Sequence, residues 1–221
     1  MFIGHYAPTF LIKKAEPKIP LWILFIAVQF TDIIWDLLIL LGVEKANIVT
    51  SLPSNPLELY YMPFSHGLLS VLAYTLLICV ILFFLPYFKE RRKQIGWIGF
   101  AVFSHWILDL LVHRPDLPLL FNQFKIGFAL WNYPLFALSL EIGLFIFGAI
   151  IYYNSILTKQ RKGIALFVLF TVLAGIVQIG SAFSPPSSVY EVAIPALCFY
   201  LFSAAFMFKV EKNEPIKQAI S

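Results

Sequence analysis

Six long apolar runs alternate with short polar segments along the chain. Each run is long enough to cross a hydrocarbon core of about 30 Å as a helix, and none shows the period-2 alternation of a membrane barrel strand. The pattern predicts an all-α polytopic bundle, a single integral membrane domain covering 1–221. The predicted transmembrane helices are about 21–41, 65–87, 95–113, 134–153, 164–183 and 189–208.

The first residues form an apolar segment that is too short to span. Pro17 and Pro20 separate this segment, Phe2–Leu11, from the first long run. It is therefore expected to form a short interfacial or re-entrant helix. The longest connection, Gly42–Phe64, contains three prolines and cannot be one helix, and every regular element is expected to be helical.

Composition supports a membrane protein. The chain has 221 residues, 60% of them hydrophobic and only 13% charged, whereas soluble domains carry about 25% charged residues. The net charge of +4 does not indicate nucleic-acid binding, because the basic residues lie at the ends of apolar runs and form no patch with aromatics. Cys79 and Cys198 both lie inside apolar runs, so no disulfide framework is expected.

The basic residues predict the orientation. Thirteen of the sixteen lysines and arginines lie in the N-terminal segment, the second and fourth connections and the C-terminal segment, against three in the other connections. Since basic residues favour the cytoplasmic side, both termini are expected in the cytoplasm, with the chain in a bacterial inner membrane.

Polar residues recur at one depth in three of the runs. His105, Asp109 and His113 follow an i, i+4, i+8 spacing on one helix face, and Asp32 and Asp36 follow an i, i+4 spacing on another. His66 opens the second run. The predicted orientations bring these residues to the outer half of the membrane. We therefore expect one site there.

Imidazoles and carboxylates are the ligands of divalent metals, with Zn²⁺ expected first and Mn²⁺ or Fe²⁺ as alternatives. A dication would also neutralise carboxylates that are costly inside a membrane. Simpler interpretations stay open: His66 and His113 as interfacial hydrogen-bonding residues, Glu141 as a ligand, a general base or a solvated carboxylate, and Arg114 as a snorkelling side chain or a phosphate-binding group.

Four short blocks carry a resemblance to a known family. Gly4-His5, Gln29–Asp32, Phe64–His66 and Ser104–Asp109, in that order, resemble the YdjM-like membrane-bound metal-dependent hydrolases of bacterial inner membranes. The resemblance implies metal ligation by five residues: His5, Asp32, His66, His105 and Asp109.

The chain departs from the family pattern at Ile34, Trp35 and Tyr61. Residues that the family uses are missing there, so Asp36 and His113 are candidate substitutes. His113 is therefore added to the predicted metal ligands.

These observations favour a metal-dependent hydrolase that acts on a lipid or lipid-linked (phospho)ester. Asp36 or Glu141 would be its general base, and Arg114 would bind a phosphate. One alternative is a proton- or metal-coupled transporter that uses the same site. It finds less support, since no inverted repeat or broken helix pair is evident. The other is a non-catalytic scaffold with a structural metal. The sequence predicts no particular oligomeric state.

Overall fold

Helices make up most of the computed structural model, which describes residues 1–155, 160–183 and 185–213. Lys159 and Lys217, two of the thirteen basic residues that predict the orientation, lie outside the described residues, as does Ser184. The described helices are α1 Ala7–Ala15, α2 Leu21–Val28, α3 Phe30–Leu40, α4 Leu68–Phe84, α5 Arg92–Val112, α6 Pro134–Ser155, α7 Arg161–Phe183 and α8 Tyr190–Asn213. Short 3₁₀ turns lie at Ile3–Tyr6, Pro86–Phe88 and Leu130–Asn132.

Four of the described helices, α5 to α8, are long and apolar enough to cross a membrane. This confirms the mainly helical class and indicates a membrane protein. Helix α4 is apolar but has only 17 residues, about 25 Å at 1.5 Å per residue, and is shorter than the predicted helix over 65–87. The structure therefore supports four of the six predicted spans directly.

The first predicted span is broken. Helices α2 and α3 meet at an angle of 53°, with Gln29 between them at φ −100° and ψ 6°. The Gln29 side chain donates a hydrogen bond to the carbonyl oxygen of Phe2 at 3.1 Å. The predictions of one continuous helix over 21–41 and of no broken helix pair were wrong, because this tertiary contact stabilises a local conformation that apolar periodicity does not reveal.

The connection between α3 and α4 contains a small sheet. Strand β1, Lys45–Ile48, pairs antiparallel with β2, Leu57–Tyr61. Alternate residues of β2, Leu57 and Leu59, are buried, which is the period of a half-buried strand. The expectation that every regular element is helical was therefore wrong, because prolines between the two strands end one extended segment and start the next.

The N-terminal segment lies inside the bundle. Ile3, Tyr6 and Phe10 are fully buried, and α1 packs against α6. Gly148 permits this approach, since a Cβ there would lie 2.8 Å from the Phe10 ring and 3.1 Å from the Cα of Ala7. The predicted short helix is present as α1, and its packing places the residues before it, including His5, inside the bundle.

We expect Gly148→Ala to lower the free energy of unfolding by about 1–3 kcal/mol, because the added methyl group overpacks the contact between α1 and α6. Gly143→Ala in the same helix is the matched control, since nothing lies within 4 Å of its Cβ position. Thermal or denaturant unfolding in detergent measures both variants. Equal stability of the two variants would contradict the close packing of α1 on α6.

Candidate metal centre

Side chains from two helices and one loop converge between α3 and α5. Asp32 lies in the first turn of α3, His66 lies in the loop two residues before α4, and His105 and Asp109 lie one turn apart in α5. One ligand atom from each of the four lies within 4.8 Å of the other three. His66, His105 and Asp109 are buried, and the Asp32 side chain is 13% exposed.

Four of the six distances between the ligand atoms are close to those around a tetrahedral ion. Asp32 Oδ1 lies 3.2 Å from His66 Nε2 and 3.3 Å from His105 Nε2. Asp109 Oδ2 lies 3.5 Å from His66 Nε2 and 3.0 Å from His105 Nε2. With metal–ligand bonds of about 2.0–2.1 Å, the ligand atoms of a regular tetrahedron lie about 3.3–3.4 Å apart. The group therefore has the size that a small dication requires.

The break in the first span orients His105. Helix α2 ends at Val28, and its last carbonyl groups lack helical partners. The Val28 carbonyl oxygen lies 2.7 Å from His105 Nδ1. Because a carbonyl only accepts, Nδ1 carries the proton. In the neutral ring, Nε2 then holds a lone pair.

A buried carboxylate orients His66 in the same way. Glu44, only 1% exposed, accepts a hydrogen bond from the Ser65 hydroxyl at 2.5 Å. The Ser65 oxygen in turn lies 2.8 Å from His66 Nδ1. Since the hydroxyl proton points to Glu44, Nδ1–H of His66 donates to Ser65 and Nε2 again holds a lone pair. In metal sites, the ring nitrogen of a ligating histidine that does not bind the metal typically donates a hydrogen bond of this kind.

With both rings neutral, this arrangement is unfavourable without a cation. Two neutral imidazoles would direct lone pairs toward two carboxylate oxygens in a buried place, where unpaired negative charge is costly. His105 Nε2 and Asp109 Oδ2 lie 3.0 Å apart, and both lack a hydrogen-bond partner within the described parts of the chain. The four atoms therefore lie close around one position, as the ligands of a metal ion do.

The remaining carboxylate oxygens are held by other groups. The Tyr200 hydroxyl of α8 donates to Asp32 Oδ2 at 3.0 Å. Asp109 Oδ1 lies 2.6 Å from the amino nitrogen of Met1 and 3.1 Å from His5 Nε2. These contacts fix the two carboxylates so that Asp32 Oδ1 and Asp109 Oδ2 face His66 and His105.

The other two predicted ligands lie beside the group of four. The His5 ring stacks on His105 with centroids 3.6 Å apart. His113 ends α5, with Nε2 3.6 Å from Asp109 Oδ1 and Nδ1 2.7 Å from Asp116 Oδ1. Both rings are buried and face the oxygen of Asp109 that points away from His66 and His105.

The three residues predicted to act in catalysis lie outside the group of four. Asp36 is 1% exposed, and its carboxylate oxygens have no hydrogen-bond partner among the residues described. Glu141 Oε2 accepts the backbone N–H of Phe2 at 2.8 Å. Arg114 donates to the Asn132 side chain and to the carbonyls of Pro53 and Asn55, so it ties the loop before α6 to the loop between α3 and α4. Partial burial lowers the pKa of its guanidinium from the ordinary value.

Sequence reasoning gave no role to Glu44, Tyr200 or Asp116. Glu44 acts through Ser65, 21 residues further along the chain, and Tyr200 reaches Asp32 across 168 residues. No helical spacing connects such pairs. The sequence could have indicated Asp116, because it follows His113 by only three residues and its carboxylate can contact the ring.

A scan against protein-family models, a search of curated proteins and a search of solved structures each gave no match to this chain. The resemblance to the YdjM-like hydrolases therefore rests on the four short sequence blocks alone.

Glu44→Ala should lower the free energy of unfolding by about 1–3 kcal/mol, because buried donors would lose their acceptor. The Glu44 carboxylate accepts from the backbone N–H groups of Phe64 and Ser65 as well as from the Ser65 hydroxyl. The matched control is Glu58→Ala, which removes only an exposed hydrogen bond to Asn47. Denaturant unfolding distinguishes them, and equal stability would argue against Glu44 as the anchor of the His66 loop.

Proposed function

We propose that the protein is a membrane-embedded, metal-dependent hydrolase of lipid or lipid-linked (phospho)esters. One observation carries the proposal: two imidazole nitrogens and two carboxylate oxygens from α3, α5 and the loop before α4 lie within 4.8 Å of one another, at distances that suit a small dication. A divalent ion bound there would lower the pKa of a water molecule and stabilise negative charge developing on an ester. The resemblance to the YdjM-like hydrolases points to the same chemistry.

Zn²⁺ is the ion we propose first. Two neutral imidazoles with two carboxylates at tetrahedral spacing suit Zn²⁺, whereas Mn²⁺ and Fe²⁺ take similar ligands with higher coordination numbers. His66 and His105 supply the nitrogen ligands, and Asp32 and Asp109 the oxygen ligands. Asp32 is the most exposed of the four, so a substrate would approach the centre from its side.

Asp36 and Glu141 are the proposed proton acceptors. Asp36 follows Asp32 by one turn of α3, and its oxygens are not engaged by hydrogen bonds from the described residues. Asp36 can therefore take a proton without losing a hydrogen bond, whereas Glu141 already accepts a hydrogen bond from the backbone N–H of Phe2. Asp36 is thus the better candidate for the general base.

Arg114 is the proposed phosphate-binding group. Its Nη1 atom is buried and lacks a hydrogen-bond partner among the described residues, while Nε and Nη2 hold the outer loops. A small shift of these loops would present Nη1 to a phosphate oxygen, which a guanidinium binds well.

The proposed setting is a bacterial inner membrane, with six spans and both termini in the cytoplasm. In this arrangement the bent pair α2–α3 and the short helix α4 are the first and second spans. The distribution of lysine and arginine supports it. The centre then lies toward the outer leaflet, within reach of lipid head groups and without access to nucleic acid.

Purified protein should contain the metal, and His105→Ala combined with Asp109→Ala should remove it and abolish hydrolysis of lipid phosphoesters in mixed micelles. The double variant removes one nitrogen and one oxygen ligand. Elemental analysis measures the metal content, and released phosphate or alcohol measures the activity. Glu58→Gln, on the exposed hairpin, is the control and should retain both. Metal retained in the double variant would refute the assigned ligands.

The break between α2 and α3 favours transport as a second candidate function. Discontinuous helices supply freed backbone carbonyls to ion sites in many transporters, and the Val28 carbonyl here orients a residue of the centre. Zn²⁺ or proton flux into proteoliposomes tests it. Flux that is lost in His105→Ala, with no ester hydrolysis, would favour transport over the hydrolase.

A further inference from the structure

We propose that Asp109 bridges two metal ions, the second held on its Oδ1 atom by His5 and His113. The inference rests on the proposed function and deepens it, since it describes the same centre as a two-metal site. It concerns the side of Asp109 that the group Asp32, His66, His105 and Asp109 does not use.

The two oxygens of Asp109 face two separate sets of imidazoles. Oδ2 lies 3.0 Å from His105 Nε2 and 3.5 Å from His66 Nε2. Oδ1 lies 3.1 Å from His5 Nε2 and 3.6 Å from His113 Nε2. The contacts of Oδ1 therefore repeat those of Oδ2, at nearly the same distances, with a second pair of rings.

Ring stacking gives the two positions a suitable separation. His5 and His105 are nearly parallel, with an interplanar angle of 11° and centroids 3.6 Å apart. Their Nε2 atoms face different oxygens of one carboxylate. Paired catalytic ions in two-metal sites lie about 3.5–4 Å apart, and the separation of the stacked rings is compatible with such a pair.

Both additional rings can ligate. Asp116 accepts the Nδ1 proton of His113 at 2.7 Å, which leaves a lone pair on Nε2 toward Asp109. His5 donates through Nε2 to Asp109, and its Nδ1 is buried without a hydrogen-bond partner in the described chain. Because no described residue forms a hydrogen bond with His5 Nδ1, the proton is not confined to Nε2. Its proton can therefore occupy Nδ1 when Nε2 binds an ion.

A positive group already lies at this position. The amino nitrogen of Met1 is 2.6 Å from Asp109 Oδ1, and both are buried. An ion bound at Oδ1 would require this nitrogen to move away or to ligate as a neutral amine. The contact indicates that the environment of Oδ1 favours positive charge.

The second position would supply an open coordination position for water, which the four protein ligands of the first position do not leave. Four protein ligands complete a tetrahedral shell, as in structural zinc sites, whereas catalytic zinc sites have three protein ligands and an open position for water. His5, His113 and Asp109 offer three ligands. The second ion would therefore keep an open coordination position for water, whereas water at the first ion would enter as a fifth ligand.

The experiment measures the number and coupling of bound ions in the full-length protein. Purified metal-free protein is dialysed against Mn²⁺, bound metal is counted, and the electron paramagnetic resonance spectrum is recorded. We expect two ions per chain and the spectrum of an exchange-coupled pair. His113→Ala should reduce the count to one and replace the coupled spectrum with that of an isolated ion. His113→Gln should do the same with less disturbance of packing, and Glu58→Gln is the control.

The outcomes separate this inference from the proposed function. One ion in the wild type, unchanged by His113→Ala, or two ions without coupling would overturn the bridged pair and leave the first site intact. No bound ion would overturn both sites. A coupled pair in a protein that hydrolyses no phosphoester would support the second site and overturn the hydrolase.

Discussion

Two carboxylates, Asp32 and Asp109, are placed inside an apolar helical bundle, and the rest of the structure around them compensates their charge. Uncompensated negative charge at membrane depth is strongly unfavourable. The protein surrounds Asp109 with imidazoles and an amino group, and it supplies a tyrosine hydroxyl to Asp32. Among the described residues, no lysine or arginine forms an ion pair with either carboxylate. This choice of nitrogen groups leaves a position that a metal dication fits.

The break in the first span connects the fold to the centre. A continuous helix would place the Val28 carbonyl in an intrahelical hydrogen bond; the break at Gln29 makes it available to His105. The side chain of Gln29 also donates a hydrogen bond to the backbone carbonyl of Phe2. That contact helps to position the N-terminal segment, whose His5 stacks on His105. One local irregularity therefore orients a ligand and anchors the segment that completes the site.

The environment beyond the ligands distinguishes this centre from a set of buried ion pairs. His66 and His105 each have the Nδ1 atom engaged from behind, one by Ser65 and one by a backbone carbonyl. This backing directs both Nε2 atoms toward Asp32 and Asp109. An apolar groove of about 540 Å³, lined by Cys79, Phe83 and Arg92 among others, lies near the start of α5. Arg92 is 13 residues from His105, about 20 Å along the helix, so the groove belongs to a different part of the protein.

Sequence by itself determined the apolar helices and the polar residues they carry. Length and hydrophobicity identify the long helices, because a chain in lipid must satisfy its backbone internally, and the i, i+4 spacing of His105 and Asp109 places them on one face. Only the tertiary structure decided which oxygen faces which ring. The contacts from Glu44 through Ser65 to His66, from Tyr200 to Asp32, and from His5 to Asp109 join residues distant in the chain. Such contacts depend on how helices pack and bend, and no local periodicity encodes them.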